Sequence, residues 1–229
     1  TNYLDDLFQG VYQHFNELSE EQLADPAWLK KNMPYAGEVL MGHLRYGTHG
    51  INTIETCHPF LRQNNWMSRN LVMAGNFNMT NTDELFEELI ELGQFPKERS
   101  DTVTMMEKIG HFLDDEVQQL FEHFKRVGYT NQEISEKIKD DLNVSNVIRR
   151  AFKKVDGGYA MMGMIGTGEA FVVRDPHGIR PAFYYQDDEV IAIASERPAL
   201  QTAFGVRFRH INEVPPGHSL IIRNSGQLE

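Results

Sequence analysis

The stretch YAMMGMIGTGEAFVVRDPHGIRPAFYYQDDEVIAIA, Tyr159 to Ala194, decides how the chain folds. Four runs in it, Tyr159–Ile165, Glu169–Arg174, Pro181–Tyr185 and Val190–Ala194, read as strands, the last three rich in aromatic and β-branched residues. Gly166-Thr167-Gly168 and Gln186-Asp187-Asp188 between them carry hairpin chemistry, and Asn224-Ser225-Gly226 adds another turn downstream. These runs predict one antiparallel sheet. Residues 36–76 show a second set of strand-like alternations, with a turn at Gln63-Asn64-Asn65 and a β-rich run from Asn70 to Ala74. Together the two sets offer enough apolar surface for two packed sheets covered by helices.

Helical periodicity fills the remainder. Tyr3, Leu4, Leu7, Phe8, Val11, Tyr12, Phe15 and Leu18 recur at helical spacing, Ser19 to Gln22 reads as a capping box, and Pro26 starts a helix that ends near Pro34. Asn81 is the expected N-cap of a helix carrying Leu85, Phe86, Leu89 and Ile90 on one face and closing near Gly93. A long helix follows Ser100, with Val103, Met106, Phe112, Leu113, Val117, Leu120, Phe121 and Phe124 as its apolar stripe and Gly128 as its stop. The stripe reads as core, not as a cofactor box. Thr130 to Glu133 caps another helical stretch, predicted to break near Asn143 and resume to about Val155.

Composition narrows the function classes. With 229 residues, 41% hydrophobic content and no eighteen-residue apolar run or secretory signal, the chain reads as one soluble domain, or one domain plus an insertion, with no membrane partner. A single cysteine rules out an internal disulfide framework and fits a reducing compartment, the cytoplasm. The formal charge of −11 argues against nucleic-acid binding, which needs a basic face. Arg149, Arg150, Lys153 and Lys154 are accounted for by a helix C-terminus. The nine histidines show no pair at metal-ligand spacing on one helix face, so no metal and no cofactor are expected.

Three polar clusters stand at predicted strand and helix ends. Gly42 to Gly50, GHLRYGTHG, packs Arg45, Tyr46, Thr48 and His49 between glycines, and Arg45 has the planar fork that pairs with a carboxylate. For Arg45 alone a solvated surface arginine is the commoner outcome. Gly75 to Asn81, GNFNMTN, places amide side chains among turn-forming residues, and Ser100-Asp101 opens the long helix, where Asp101 on its own reads as a dipole partner. Together they read as a site for a small zwitterion.

The ordered set GHLRYGTHG, HPF, GNFNMTNTDEL, SDT, GGYA, RDPHGIRP, ASE and VPPGH resembles the glutaminase domain of class II glutamine amidotransferases, and within them the amidophosphoribosyltransferase family. The matched segments cover roughly residues 36–105 and 155–223. The resemblance implies a four-layer αββα sandwich of two antiparallel sheets, the N-terminal nucleophile hydrolase type, with helical insertions. It divides the chain into a helical leader or insertion at 1–35 and a glutaminase domain at 36–229, with a helical insertion at about 104–155.

The resemblance also assigns roles. Arg45 would pair with the glutamine α-carboxylate, helped by Tyr46, Thr48 and His49, and Asp101 would hold the α-ammonium. The Asn76 side-chain amide and the Phe77 backbone N–H would stabilise the oxyanion. Ammonia would pass to a C-terminal phosphoribosyltransferase domain in a homo-oligomeric full-length enzyme.

Two departures qualify this. The family's nucleophile is an N-terminal cysteine, whereas this chain begins Thr1-Asn2-Tyr3-Leu4 and lacks the HRGQ-like segment that precedes GHLRY; the expectation is that both lie upstream and that this chain alone is inactive. Thr1, leading into an amphipathic helix, is a poor substitute, and Cys57 beside His58 is a poor dyad, because adjacent residues of an extended chain face opposite ways. The second departure is Phe77, where the family usually has glycine. Phenylalanine disfavours positive φ, and its ring would crowd the substrate. A sugar-phosphate aminotransferase glutaminase, which Thr48-His49-Gly50 also resembles, and a non-catalytic regulatory domain of the same fold are the alternatives.

Overall fold

The structure is a computed structural model that describes residues 3–44, 57–96 and 98–229. It divides into two compact units, Thr1–Met41 and Gly42–Glu229. The first is helical: α1 (Tyr3–Asn16), α2 (Glu20–Leu23) and α3 (Pro26–Asn32). The Ser19 hydroxyl accepts from the Gln22 N–H while the Gln22 side chain returns to the Ser19 N–H, so the capping box forms as its sequence predicts. The Asp25 carboxylate caps α3 ahead of Pro26.

The second unit orders its elements as β1 (Phe60–Arg62), β2 (Leu71–Met79), α4 (Thr82–Glu91), α5 (Asp101–Val127), α6 (Asn131–Asp141) and α7 (Val144–Ala151). Then follow β3 (Gly157–Ile165), β4 (Ala170–Arg174), β5 (Phe183–Gln186), β6 (Ile191–Ala194), α8 (Arg197–Phe204), β7 (Asn212–Glu213) and β8 (Ser219–Ile222). The strands form a five-stranded sheet, β1-β2-β3-β4-β8, and a three-stranded sheet, β6-β5-β7, antiparallel throughout.

Alternation along the strands sorts the layers. Leu71, Met73, Met79, Tyr159, Met161, Phe171, Val173 and Ile221 face a core shared with Met105, Ile109, Leu113, Val117, Ile134, Ile138 and Val147 of the helices. On the other face Ala160, Met162, Val172 and Leu220 meet Tyr184 and Ile193 of the small sheet. The far side of that sheet carries α8, where Tyr185 meets Phe204 and Arg197 lies over Phe183. The layers are therefore helices, large sheet, small sheet and helix, the αββα sandwich expected from the resemblance.

Two corrections follow. The runs from Tyr159 to Ala194 do not make one sheet: β3 and β4 belong to the large sheet, β5 and β6 to the small one, and the chain changes sheets at Asp175–Pro181. The cause is the buried Asp175, which accepts backbone N–H groups of Tyr159, His177, Ile179 and Arg180 and so folds RDPHGIRP into a corner. The second concerns β2, which continues through GNFNM to Met79 where turn chemistry is expected, because β3 pairs with its whole length, from Leu71 opposite Ile165 to Met79 opposite Gly157. Residues 104–155, expected as an insertion, supply most of the helical side of the main core.

Candidate active site

Asn76 and Phe77 lie in the half of β2 that runs past the end of β1. Their surroundings follow from register. The Tyr159 N–H donates to the Asp175 carboxylate and its carbonyl accepts from the Asp175 N–H, so the backbone of Tyr159 turns toward β4 and its pairing with Phe77 is the non-hydrogen-bonded kind. The backbone groups of Asn76 therefore bond β3, and those of Gly75, Phe77 and Met79 face the opposite, β1 side.

On that side β1 reaches only to Phe60, opposite Met73. Beyond it the Gly75 N–H donates to His58 Nδ1 at 3.2 Å and the Met79 N–H donates to Asp101 Oδ2 at 2.9 Å. Between them the Phe77 N–H has no acceptor among the described residues, which is the state an oxyanion donor needs. The two pinned N–H groups flank it at about 7 Å on either side, two residues of strand each way.

Side chains alternate across the same strand. Asn76 is exposed, on the face away from the helical core, while the Phe77 ring packs against that core and lies 5.6 Å from His58. Phe77 is not among the residues of positive φ. Both concerns raised by a phenylalanine in place of glycine are thereby met: the ring points away from the Asn76 face, and an extended backbone needs no left-handed conformation. Gly75 is required for a different reason, since a Cβ there would stand 2.6 Å from the Ala160 carbonyl oxygen.

Asp101 is the first residue of α5, whose N-cap Ser100 accepts from the Val103 N–H. Besides the Met79 N–H, its carboxylate accepts from Thr82 Oγ1 at 2.6 Å, so it ties the starts of α4 and α5 to the end of β2. Each oxygen retains a second lone pair for a cationic partner. Asn81 does not cap α4 with its side chain as predicted; its amide donates to the Lys154 carbonyl and accepts from the Asp156 N–H, fixing the chain that enters β3. Arg45, Tyr46, Thr48 and His49 lie outside the described residues.

Sequence reasoning missed the groups that hold this edge in place. Arg62 of β1 bonds Asp114 through two nitrogens, at 2.6 and 3.3 Å, and Glu107 through Nε at 3.2 Å. It crosses α5 at Gly110, where a Cβ would stand 2.4 Å from its Nε. The signal was present as a mid-helix glycine, which costs about 1 kcal/mol against alanine and so asks for a packing reason. Arg174, nearly buried, donates to the carbonyls of Gly178, Arg180 and Val214 and to Glu213, completing the corner begun by Asp175. Burial, with the charges of Asp175 and Asp156, pushes the Tyr159 phenol up to about 12, so it stays protonated at neutral pH.

Known proteins resemble this chain in sequence and in fold. A family described as "Glutamine amidotransferase domain" matches residues 133–202, beginning inside the helical stretch expected as an insertion. Amidophosphoribosyltransferase of Bacillus subtilis is 30% identical over 192 residues, covering 83% of this chain and 33% of that protein. The Pasteurella multocida enzyme of the same name is 26% identical over 197 residues, covering 84% and 34%. Among solved structures, glutamine phosphoribosylpyrophosphate amidotransferase from B. subtilis complexed with ADP and GMP superposes with TM-score 0.53 at 27% identity, over 82% of this chain and 33% of that one. A structure described as the allosteric regulatory enzyme of purine biosynthesis gives TM-score 0.56 at 28% identity, over 82% and 34%. The chain spans about a third of the length of these relatives. Motif order, layer architecture and relatives agree, and the chain carries a class II glutamine amidotransferase domain close to that of the amidophosphoribosyltransferases.

Proposed function

We propose that this domain hydrolyses glutamine to glutamate and ammonia, and that the ammonia serves transfer to phosphoribosylpyrophosphate in purine biosynthesis by a longer protein with a C-terminal phosphoribosyltransferase domain. The observation that carries the reading is the edge of β2. The exposed Asn76 amide and the Phe77 N–H, unclaimed among the described residues, are consecutive donors, which is what a tetrahedral oxyanion requires.

In this reading a thiolate attacks the side-chain amide carbon of glutamine, a C–S bond forms, and the carbonyl electron pair moves to the oxygen facing Asn76 and Phe77. Collapse of the intermediate breaks the C–N bond, and the leaving nitrogen takes a proton and departs as ammonia. Water then attacks the thioester, releasing glutamate and returning the thiol. The nucleophile is assigned to an N-terminal cysteine of the natural protein. Asp101 holds the α-ammonium with its spare lone pairs, and Arg45, in the company of Tyr46, Thr48 and His49, pairs with the α-carboxylate.

The test is ammonia release from glutamine by the natural full-length protein. Asn76→Ala is expected to lower kcat by about two to three orders of magnitude, the usual loss for one oxyanion donor. Cys57→Ser is expected to leave it intact. Unchanged turnover in Asn76→Ala would overturn the assignment.

A further inference from the structure

The open edge of β2 poses a structural problem that the catalytic reading leaves unsolved. Past Met73 no strand among the described residues pairs with β2 on the β1 side, yet three successive outward N–H groups, of Gly75, Phe77 and Met79, must be disposed of. A longer β1 would satisfy them all and would also consume the Phe77 N–H. The chain ends β1 early and substitutes side chains. Asp101 takes the Met79 N–H, and the His58 imidazole takes that of Gly75, immediately before Asn76.

His58 is built for this task. Because Nδ1 accepts, the neutral ring carries its proton on Nε2, which faces Thr102 Oγ1 at 3.5 Å, on the residue after Asp101. The ring is clasped on several sides: His43 stacks on it with centroids 4.7 Å apart and planes 26° apart, Phe60 meets it edge-on at 5.1 Å, and Phe77 leans on it at 5.6 Å. Strand β1, which begins two residues after His58, is itself fixed to α5 through Arg62.

We propose that His58 is a positioning residue for glutamine hydrolysis: it replaces a strand partner at Gly75 so that β2 stays extended while the next outward N–H, that of Phe77, remains open to the oxyanion. The role rests on the reading of Asn76 and Phe77 as oxyanion donors, and it concerns alignment of the donors, not affinity for glutamine. In this role His58 acts through the backbone of β2 and not by contact with the reacting atoms.

The experiment compares His58→Phe, His58→Gln and Asn76→Ala in the natural full-length protein, by kcat and KM for glutamine and by hydrogen exchange of the segment Gly75–Met79. His58→Phe keeps a ring against Phe60 and Phe77 but has no acceptor. It is expected to lower kcat about tenfold to a hundredfold, the scale of a small misplacement at a reacting centre, with KM within about twofold and faster exchange in the segment. His58→Gln, whose amide oxygen can accept the Gly75 N–H, is expected to recover most of the rate and the protection. Full activity in His58→Phe alongside a crippled Asn76→Ala overturns the positioning role and leaves the site standing. Equal losses in His58→Phe and His58→Gln overturn it as well, since the ring alone would then be at work. Full activity in Asn76→Ala overturns the oxyanion reading and the His58 role with it.

Discussion

At Phe77 the backbone and the side chain do separate jobs. The N–H faces the side of β2 that β1 leaves unpaired, with no acceptor among the described residues, while the ring belongs to the helical core and leans on His58. Removing the ring should therefore cost stability without removing the donor. For Phe77→Ala, half-buried in the native fold, we expect a loss of about 2 kcal/mol, below the 3–5 of a fully buried phenylalanine, read as a lower urea midpoint at unchanged slope. Its kcat for glutamine should fall far less than that of Asn76→Ala. A kcat loss as large as that of Asn76→Ala would mean that the ring, not the N–H, is the catalytic contribution of this residue.

The elements show where local chemistry suffices and where it does not. Helices announced themselves: Ser19 with Gln22 and Thr130 with Glu133 form the capping boxes their spacing predicts, and Gly128 ends α5 at φ 105°. Those signals act over three or four residues. The extent of β2 and the parting of β4 from β5 depend on partners some eighty residues away or on a buried carboxylate, so GNFNM looked like a turn and the sheet looked single. At the candidate site the sequence marked Asn76, Phe77 and Asp101, but not His58 or Arg62, whose roles exist only through contacts across the fold. Lys108 is a further case, an apparent surface charge in the middle of α5 that is 1% exposed. Its Nζ bonds Glu88 of α4 at 3.0 Å and the Lys153 carbonyl at 3.1 Å, and burial pulls its pKa down against the attraction of Glu88. Glu88→Ala strands this cation and should cost about 2 kcal/mol, below the range of about 3–5 for a fully buried pair because Glu88 is 28% exposed. Lys108→Met, which removes the buried charge and keeps the bulk, should stay within about 1 kcal/mol of native. Chemical denaturation of the two variants checks the contrast, and a larger loss for Lys108→Met than for Glu88→Ala would refute it.

At the scale of the molecule, the two sheets are joined by a corner held by the hydrogen bonds of Asp175 and Arg174, and this joint shapes the response to acid. Asp175 is wholly buried; burial pushes its carboxyl up, but N–H donors from Arg180, Ile179, His177 and Tyr159 outweigh that and hold it below the usual carboxylate range. Its folded-state pKa therefore lies under the unfolded value of about 3.9, and between the two the unfolded chain binds more protons. The stability it contributes is complete above about pH 5 and drains away as pH falls through 4 and on through the lower folded value. Glu169 opposes this: burial raises its carboxyl despite Arg223, so its contribution is present at low pH and declines as pH rises through the raised value. Two opposed slopes can be separated by substitution. Asp175→Asn puts an amide NH2 toward N–H donors and should lose about 3 kcal/mol at pH 7. It should lose less than that relative to native at pH 3, because the native carboxyl is by then giving up the same bonds. Urea midpoints of the native chain and the variant from pH 7 to pH 3 test this, and a deficit that does not shrink toward pH 3 would assign the acid response to other carboxylates of lowered pKa, such as Asp115 at Arg150 and Glu229 at Arg223. Because the corner orients Tyr159, and Tyr159 sets the pairing that turns the Phe77 N–H outward, loosening it by acid or by substitution should also degrade glutamine turnover before the helices melt.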